Sequence, residues 1–161
     1  MQYKLVRSDP FPRQHCHRND CPLDDPDGCK ERCFQGHVNY TIQCKKCGAV
    51  SDEESEKCVY CGESSRGCYV RFKGHCELCK QGKGWMYKHI EEHHKNEEVR
   101  PEEIFKMSRV SVDSDPIRRV IREAVKIADH KKREKKGELE LMNTKEEFYG
   151  PRLVVPVFNA I

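Results

Sequence analysis

Val38, Tyr40 and Ile42 alternate with the polar residues Asn39, Thr41 and Gln43 just ahead of Cys44. Period two in a run of strand formers predicts a strand over residues 38–44. Val59 and Tyr60, flanked by Cys58 and Cys61, predict a second strand over 57–62, ended by Gly62. Ser64 or Ser65 then stands where a helix cap belongs, and a helix is expected through about Leu78. Gly82 and Gly84 break that pattern, and a further helix is expected over 85–96. Residues 104–112 read as a third strand. Ser114, Asp115 and Pro116 mark a helix start. Ile117, Val120, Ile121, Ala124, Val125 and Ala128 follow at helical spacing. This predicts an amphipathic helix laying that stripe on the sheet. Residues 139–142 are too short to separate strand from helix.

The rest of the chain has no such rhythm. Residues 1–13 form an irregular lead-in. Residues 14–37 are rich in Cys, His and Asp, broken by Pro22, Pro26 and Gly28. The tail from residue 150 carries Pro151 and Pro156 and is expected to run over the surface. The expected organisation is a lead-in and Cys-rich zinc module over 1–37, then one α+β domain over 38–161. That domain is expected to hold a small three-stranded, mainly antiparallel sheet flanked by helices.

Composition explains why metal enters the picture. Leu, Ile, Val and Phe make up only about a fifth of the 161 residues, while 35% are charged. A core of that size needs help. All 11 cysteines lie between Cys16 and Cys79. The N-terminus has no apolar leader, so an intracellular setting and reduced thiols are expected, with metal favoured over disulfides. No run approaches the ~18 apolar residues of a membrane span, so no membrane partner is expected. The net charge of +3 names no partner, but residues 117–136 hold nine Lys and Arg against three acids. Such a segment either contacts phosphate or is a solvated helix face.

Cys44-x2-Cys47 is a zinc knuckle that needs two more ligands. One candidate pair is Cys58-x2-Cys61, giving a zinc ribbon. The other is His89 with His93 or His94, four or five residues along a helix. Strand alternation opposes the ribbon, because Cys58 and Tyr60 face one way and Cys61 the other. Cys16, Cys21, Cys29 and Cys33 form a second expected zinc site, in which His15 or His17 could replace one thiolate. Cys68, Cys76 and Cys79 are expected to be buried structural thiols.

The stretch from Tyr60-Cys61-Gly62 through Arg71 to His75 resembles the second half of the GIY-YIG endonuclease signature. Tyr60, Arg71 and His75 keep its spacing, and Val38-Asn39-Tyr40 stands in place of Gly-Ile-Tyr. Arg122-Glu123-Ala124-Val125 looks like the helix bearing the family's metal-binding Glu, and Leu141-Met142-Asn143 like the later segment with an Asn. The version in Penelope-like retroelements is the most similar. It carries an added Cys pair and a His pair, where Cys44, Cys47, His89 and His94 stand here. Cys61 replaces the usual Ile or Val, and Glu63 stands where some relatives have Lys.

The resemblance implies a metal-dependent DNA endonuclease that nicks target DNA so that a 3′-hydroxyl primes reverse transcription. It implies a nuclear setting and a reverse transcriptase domain as partner, in cis or in trans. Arg71 would hold phosphate through its forked donors. Glu123 would hold Mg²⁺ or Mn²⁺. Tyr60 would position or deprotonate the water, helped by Tyr40 and His75. Two Zn²⁺ ions would be structural. The rival readings are a zinc-ribbon nucleic-acid-binding module without catalysis and a zinc-braced protein-interaction adaptor.

Overall fold

The computed structural model describes residues 21–23, 32–48 and 58–143. It shows an α+β fold. Strands β1 (Val38–Cys44), β2 (Cys58–Ser64), β3 (Phe105–Val112) and β4 (Glu140–Leu141) form one mixed sheet in the order β3-β1-β2-β4. The helices are α1 (Lys45–Gly48), α2 (Cys68–Lys80), α3 (Gly84–His93), α4 (Pro101–Ile104) and α5 (Pro116–Lys135), with a 3-10 turn at Arg32–Phe34. β1 is central and antiparallel to both β2 and β3. Its residues are buried except Gln43, which is half-buried.

The expected three strands are therefore four. β4 runs parallel to β2, matching Cys58 with Glu140 and Val59 with Leu141. A two-residue strand shows no alternation, so its pattern could not be read. Its place is fixed by the Met142 amide donating to the Val59 carbonyl at 2.8 Å. The described part of the N-terminal module leans on the same sheet. Leu23 bridges to Met107, whose amide donates to the Pro22 carbonyl at 2.7 Å.

Alternation along β1 and β2 builds two faces. Val38, Tyr40, Ile42 and Tyr60 pack with Phe72 and Cys76 of α2, Trp85 and Met86 of α3, and Phe105 and Met107 of β3. Val59 and Cys61 meet Ile127 of α5 on the other face. Cys68, Cys76 and Cys79 are buried in the first core, as expected of structural thiols.

Two helix boundaries differ from expectation. α2 starts at Cys68 behind Gly67, with no side-chain cap. Ser64 ends β2, and its Oγ accepts from the Arg66 amide at 3.0 Å instead. A Cβ on Gly67 would lie 2.6 Å from the Phe34 carbonyl oxygen, so the turn is pressed against the 3-10 segment before the helix can begin. α3 ends at His93, and His94 follows as its C-cap rather than as part of the helix.

α5 begins where expected, capped by Asp115, whose Oδ1 accepts from the amides of Ile117 and Arg118. Its orientation is a correction. Arg119, Ile127 and His130 are its buried residues, while Ile117, Ile121 and Val125 stay 69%, 50% and 64% exposed. The physical reason is Arg119. Its guanidinium donates to the carbonyls of Asp113 (2.8 Å) and Ser114 (3.1 Å) and to Glu63 (3.2 Å). Its own carbonyl accepts from Asn39 Nδ2 at 2.8 Å. With those bonds made, the apolar stripe is left open rather than packed, and Ile121, Val125 and Ala128 line a groove against the sheet.

Candidate functional site

Four of the five residues expected to act on phosphate meet on the α2 side of the sheet. Tyr40 and Tyr60 come from adjacent strands, their rings 6.4 Å apart. Arg71 and His75 lie one turn apart on α2. Gly62 is the direct partner of Tyr40 across the strands. A Cβ there would fall 2.5 Å from Tyr40 Cζ and Oη. Glycine is thus what lets the Tyr40 ring cross β2.

The hydrogen-bond pattern fixes the state of His75. Trp85 stacks on Tyr60 with centroids 4.4 Å apart and planes 8° apart. Its indole Nε1 donates to His75 Nδ1 at 3.2 Å. An indole N–H can only donate, so Nδ1 must accept and the neutral ring carries its proton on Nε2. Burial, and then the Arg71 charge, push the His75 pKa down to about 3, so the ring is neutral. Nε2–H then donates to the Tyr40 oxygen at 3.0 Å. Arg71 Nε donates to the same oxygen at 3.0 Å. Burial disfavours the Arg71 cation, but the phenols of Tyr40 and Tyr60 outweigh it and hold the guanidinium above its ordinary value. One phenolic oxygen accepting two N–H donors, one of them charged, is an arrangement that stabilises phenolate.

Glu123 is placed differently. It lies on α5 and shares the wall of a cavity of about 530 Å³ with Asn39, Tyr40, Gly62 and Asp129. Glu123 thus lies on the α5 side of the sheet, whereas the Tyr40 ring lies with Arg71 and His75 on the α2 side. Asn143 grips the Cys61 backbone beside that groove, accepting from its amide and donating to its carbonyl, both at 2.8 Å.

A second cluster lies at the end of β1. Cys44 closes the strand, Cys47 sits on α1, His89 on α3, and His94 just beyond. Their ligand atoms all lie within 4.8 Å of one another. His94 Nε2 is 3.4 Å from the sulfurs of both Cys44 and Cys47, and His89 Nε2 is 3.4 Å from Cys47 Sγ. Tetrahedral zinc with ordinary Zn–S and Zn–N bonds has S···N edges of about 3.5 Å. The group could hold a zinc ion. Burial, and then the imidazoles of His93 and His94, push His89 down to about 4, leaving the neutral form that ligates. Burial and Cys44 push the Cys47 thiol up to about 11. A divalent cation between the sulfurs would reverse that sign. His94 Nδ1 faces Glu97 Oε1 at 3.3 Å, the outer carboxylate such a ligand commonly has.

The ribbon pairing is not built. Cys58 faces the first core and Cys61 the second, where its sulfur meets His130 Nδ1 at 3.4 Å. In the N-terminal set, Cys16 and Cys29 lie outside the described residues. Cys21 is half-buried beside β3, and Cys33 is buried in the 3-10 turn.

Sequence reasoning missed Trp85, which locks His75. Its ten-residue separation from His75 across a glycine break carries no periodic signal, and only its being the single Trp sets it apart. Glu140 was missed for the same reason as β4. Comparison of the chain with protein-family models, with curated proteins and with solved structures finds no match.

Proposed function

We propose that the chain is a metal-dependent DNA endonuclease of GIY-YIG type, braced by zinc on Cys44, Cys47, His89 and His94, that nicks target DNA for retroelement insertion. The observation that carries the reading is the Tyr40 oxygen, which accepts N–H bonds from both Arg71 and His75. In this reading Tyr40, rather than Tyr60, is the base. Arg71 and His75 favour its phenolate, which takes a proton from water as that water attacks the phosphorus. Arg71 directs its remaining N–H groups to the phosphate oxygens. Tyr60, held flat on Trp85, closes the pocket and accepts from Arg71. Glu123, with Asp129 on the same groove wall, offers the hard oxygen donors that suit Mg²⁺. When bound, that ion supplies charge stabilisation at the phosphate and the departing 3′ oxygen.

A nicking assay on supercoiled plasmid with Mg²⁺ tests this. Wild type is expected to give nicked circles, and Tyr40→Phe and Glu123→Ala to lose at least ~100-fold in single-turnover rate. Wild-type rates in both variants would sink the assignment. A second reading, a zinc-braced nucleic-acid-binding module, draws on the burial of Tyr40 and Tyr60, only 1% and 3% exposed. It expects DNA binding with no nicked product from the wild type.

A further inference from the structure

The zinc-type group has a neighbour that the proposed function does not use. His89, His93 and Glu140 place one ligand atom each within 4.8 Å of one another. His93 Nε2 lies 3.1 Å from Glu140 Oε1, and the His89 and His93 rings are 4.6 Å apart. Cys58 Sγ is 3.6 Å from Glu140 Oε2. His93 and Glu140 are part-exposed, on the wall of a cavity of about 740 Å³ that also includes Cys47, Cys58 and His94. His89 belongs to both groups. Its Nε2 faces Cys47, and its Nδ1 is buried with no hydrogen-bond partner. A buried imidazole N–H left unpaired is costly, and a histidine that only ligated zinc through Nε2 would ordinarily donate Nδ1–H to a carboxylate or carbonyl.

We propose that His89, His93 and Glu140 form a second, exchangeable site for a divalent cation of the zinc class, beside the first, with His89 releasing its Nδ1 proton to solvent on binding and bridging the two ions as imidazolate. Two imidazoles and one carboxylate are the donor set of open zinc sites, which keep a position for water. The cavity supplies that access. The two imidazole nitrogens select zinc or cobalt over magnesium or calcium. The site would tie α3 to the first residue of β4, three residues before Asn143. It is independent of whether the protein cuts DNA.

The test is cobalt binding by the full chain, measured by equilibrium dialysis and by absorption. The His93→Ala/Glu140→Gln variant changes two part-exposed side chains outside the Cys44, Cys47, His89 and His94 set. It should hold one cobalt fewer per chain than wild type, with the thiolate-to-cobalt charge-transfer band unchanged. Glu138→Gln, a carboxylate on the same cavity wall that faces Arg133 and Lys136, should keep the wild-type count. Magnesium in excess should not displace the extra cobalt. An unchanged count in the double variant would overturn the proposal, leaving His93 and Glu140 as a surface hydrogen-bonded pair. A lost charge-transfer band would also overturn it, because those residues would then belong to the first centre.

Discussion

Trp85 controls a proton it never touches. Its indole N–H holds His75 Nδ1 as an acceptor, so Nε2–H must point at Tyr40. Trp85→Phe keeps a ring on Tyr60 but removes that donor. A neutral His75 is then free to place its proton on Nδ1 and accept from Tyr40, which costs the phenolate one of its two donors. If Tyr40 is the base, nicking should slow by about 10–100-fold. The lower limb of the pH–rate profile should move to higher pH as the phenol becomes less acidic, and His75 imidazole nitrogen shifts should report the tautomer change. An unaltered profile would show that the indole bond has no catalytic consequence. His75 also predicts how stability depends on pH. Its folded pKa is depressed to about 3 from 6.5. Below about 6.5 the unfolded chain takes up a proton that the folded one refuses, so stability falls as pH drops from 6.5 towards 3. Between pH 7 and pH 5 the loss should be about 2 kcal/mol. His75→Phe, compared with wild type by urea denaturation at both pH values, should remove that part of the slope.

The strands and α5 show what hydrophobic pattern can and cannot reveal. β1 and β2 were legible because their alternation coincides with a real difference between two faces, Tyr40 and Tyr60 on one and Cys61 on the other. The same alternation correctly set Cys58 apart from Cys61. The family resemblance grouped Tyr40, Arg71 and His75, and the one-turn spacing of Arg71 and His75 agrees with it. Spacing could not find Trp85 or Glu140, whose neighbours are set by how elements dock. α5 was misread because its buried face is led by a charged residue. Arg119 is 4% exposed and is held by Glu63 and two carbonyls, bonds no hydropathy pattern encodes. Truncating it leaves Glu63, whose side chain is 17% exposed, without that partner. Arg119→Ala should destabilise the fold by about 3 kcal/mol, whereas Ile121→Ala on the exposed stripe should cost less than ~1 kcal/mol. Urea midpoints at constant m-value would measure both. The order reversed would mean that the apolar stripe, not Arg119, seats the helix.

The whole fold depends on a core too small for its length, and zinc on Cys44, Cys47, His89 and His94 would supply the missing stability. The ligands join the end of β1 to the end of α3, the two elements that enclose the tyrosine pocket. Structural zinc contributes on the order of 10 kcal/mol, comparable to the whole net stability of an ordinary domain. Trp85 makes the consequence visible. It is the single Trp, is buried, and precedes His89 by one helical turn on α3. Releasing α3 should unstack it from Tyr60 and let water reach it. A zinc-selective chelator, with Mg²⁺ kept in excess, should therefore shift its emission to longer wavelength, and nicking activity should fall with the same dependence on chelator. Cys44→Ser/His94→Ala should show the shifted emission without chelator, which assigns the effect to this centre rather than to the cysteines of the N-terminal module. Glu123→Ala should keep the native emission and zinc content while losing activity, separating loss of chemistry from loss of fold. If zinc leaves this centre, by direct metal analysis, while Trp85 emission stays unchanged, then packing alone holds α3 on the sheet and the metal is not what closes the pocket.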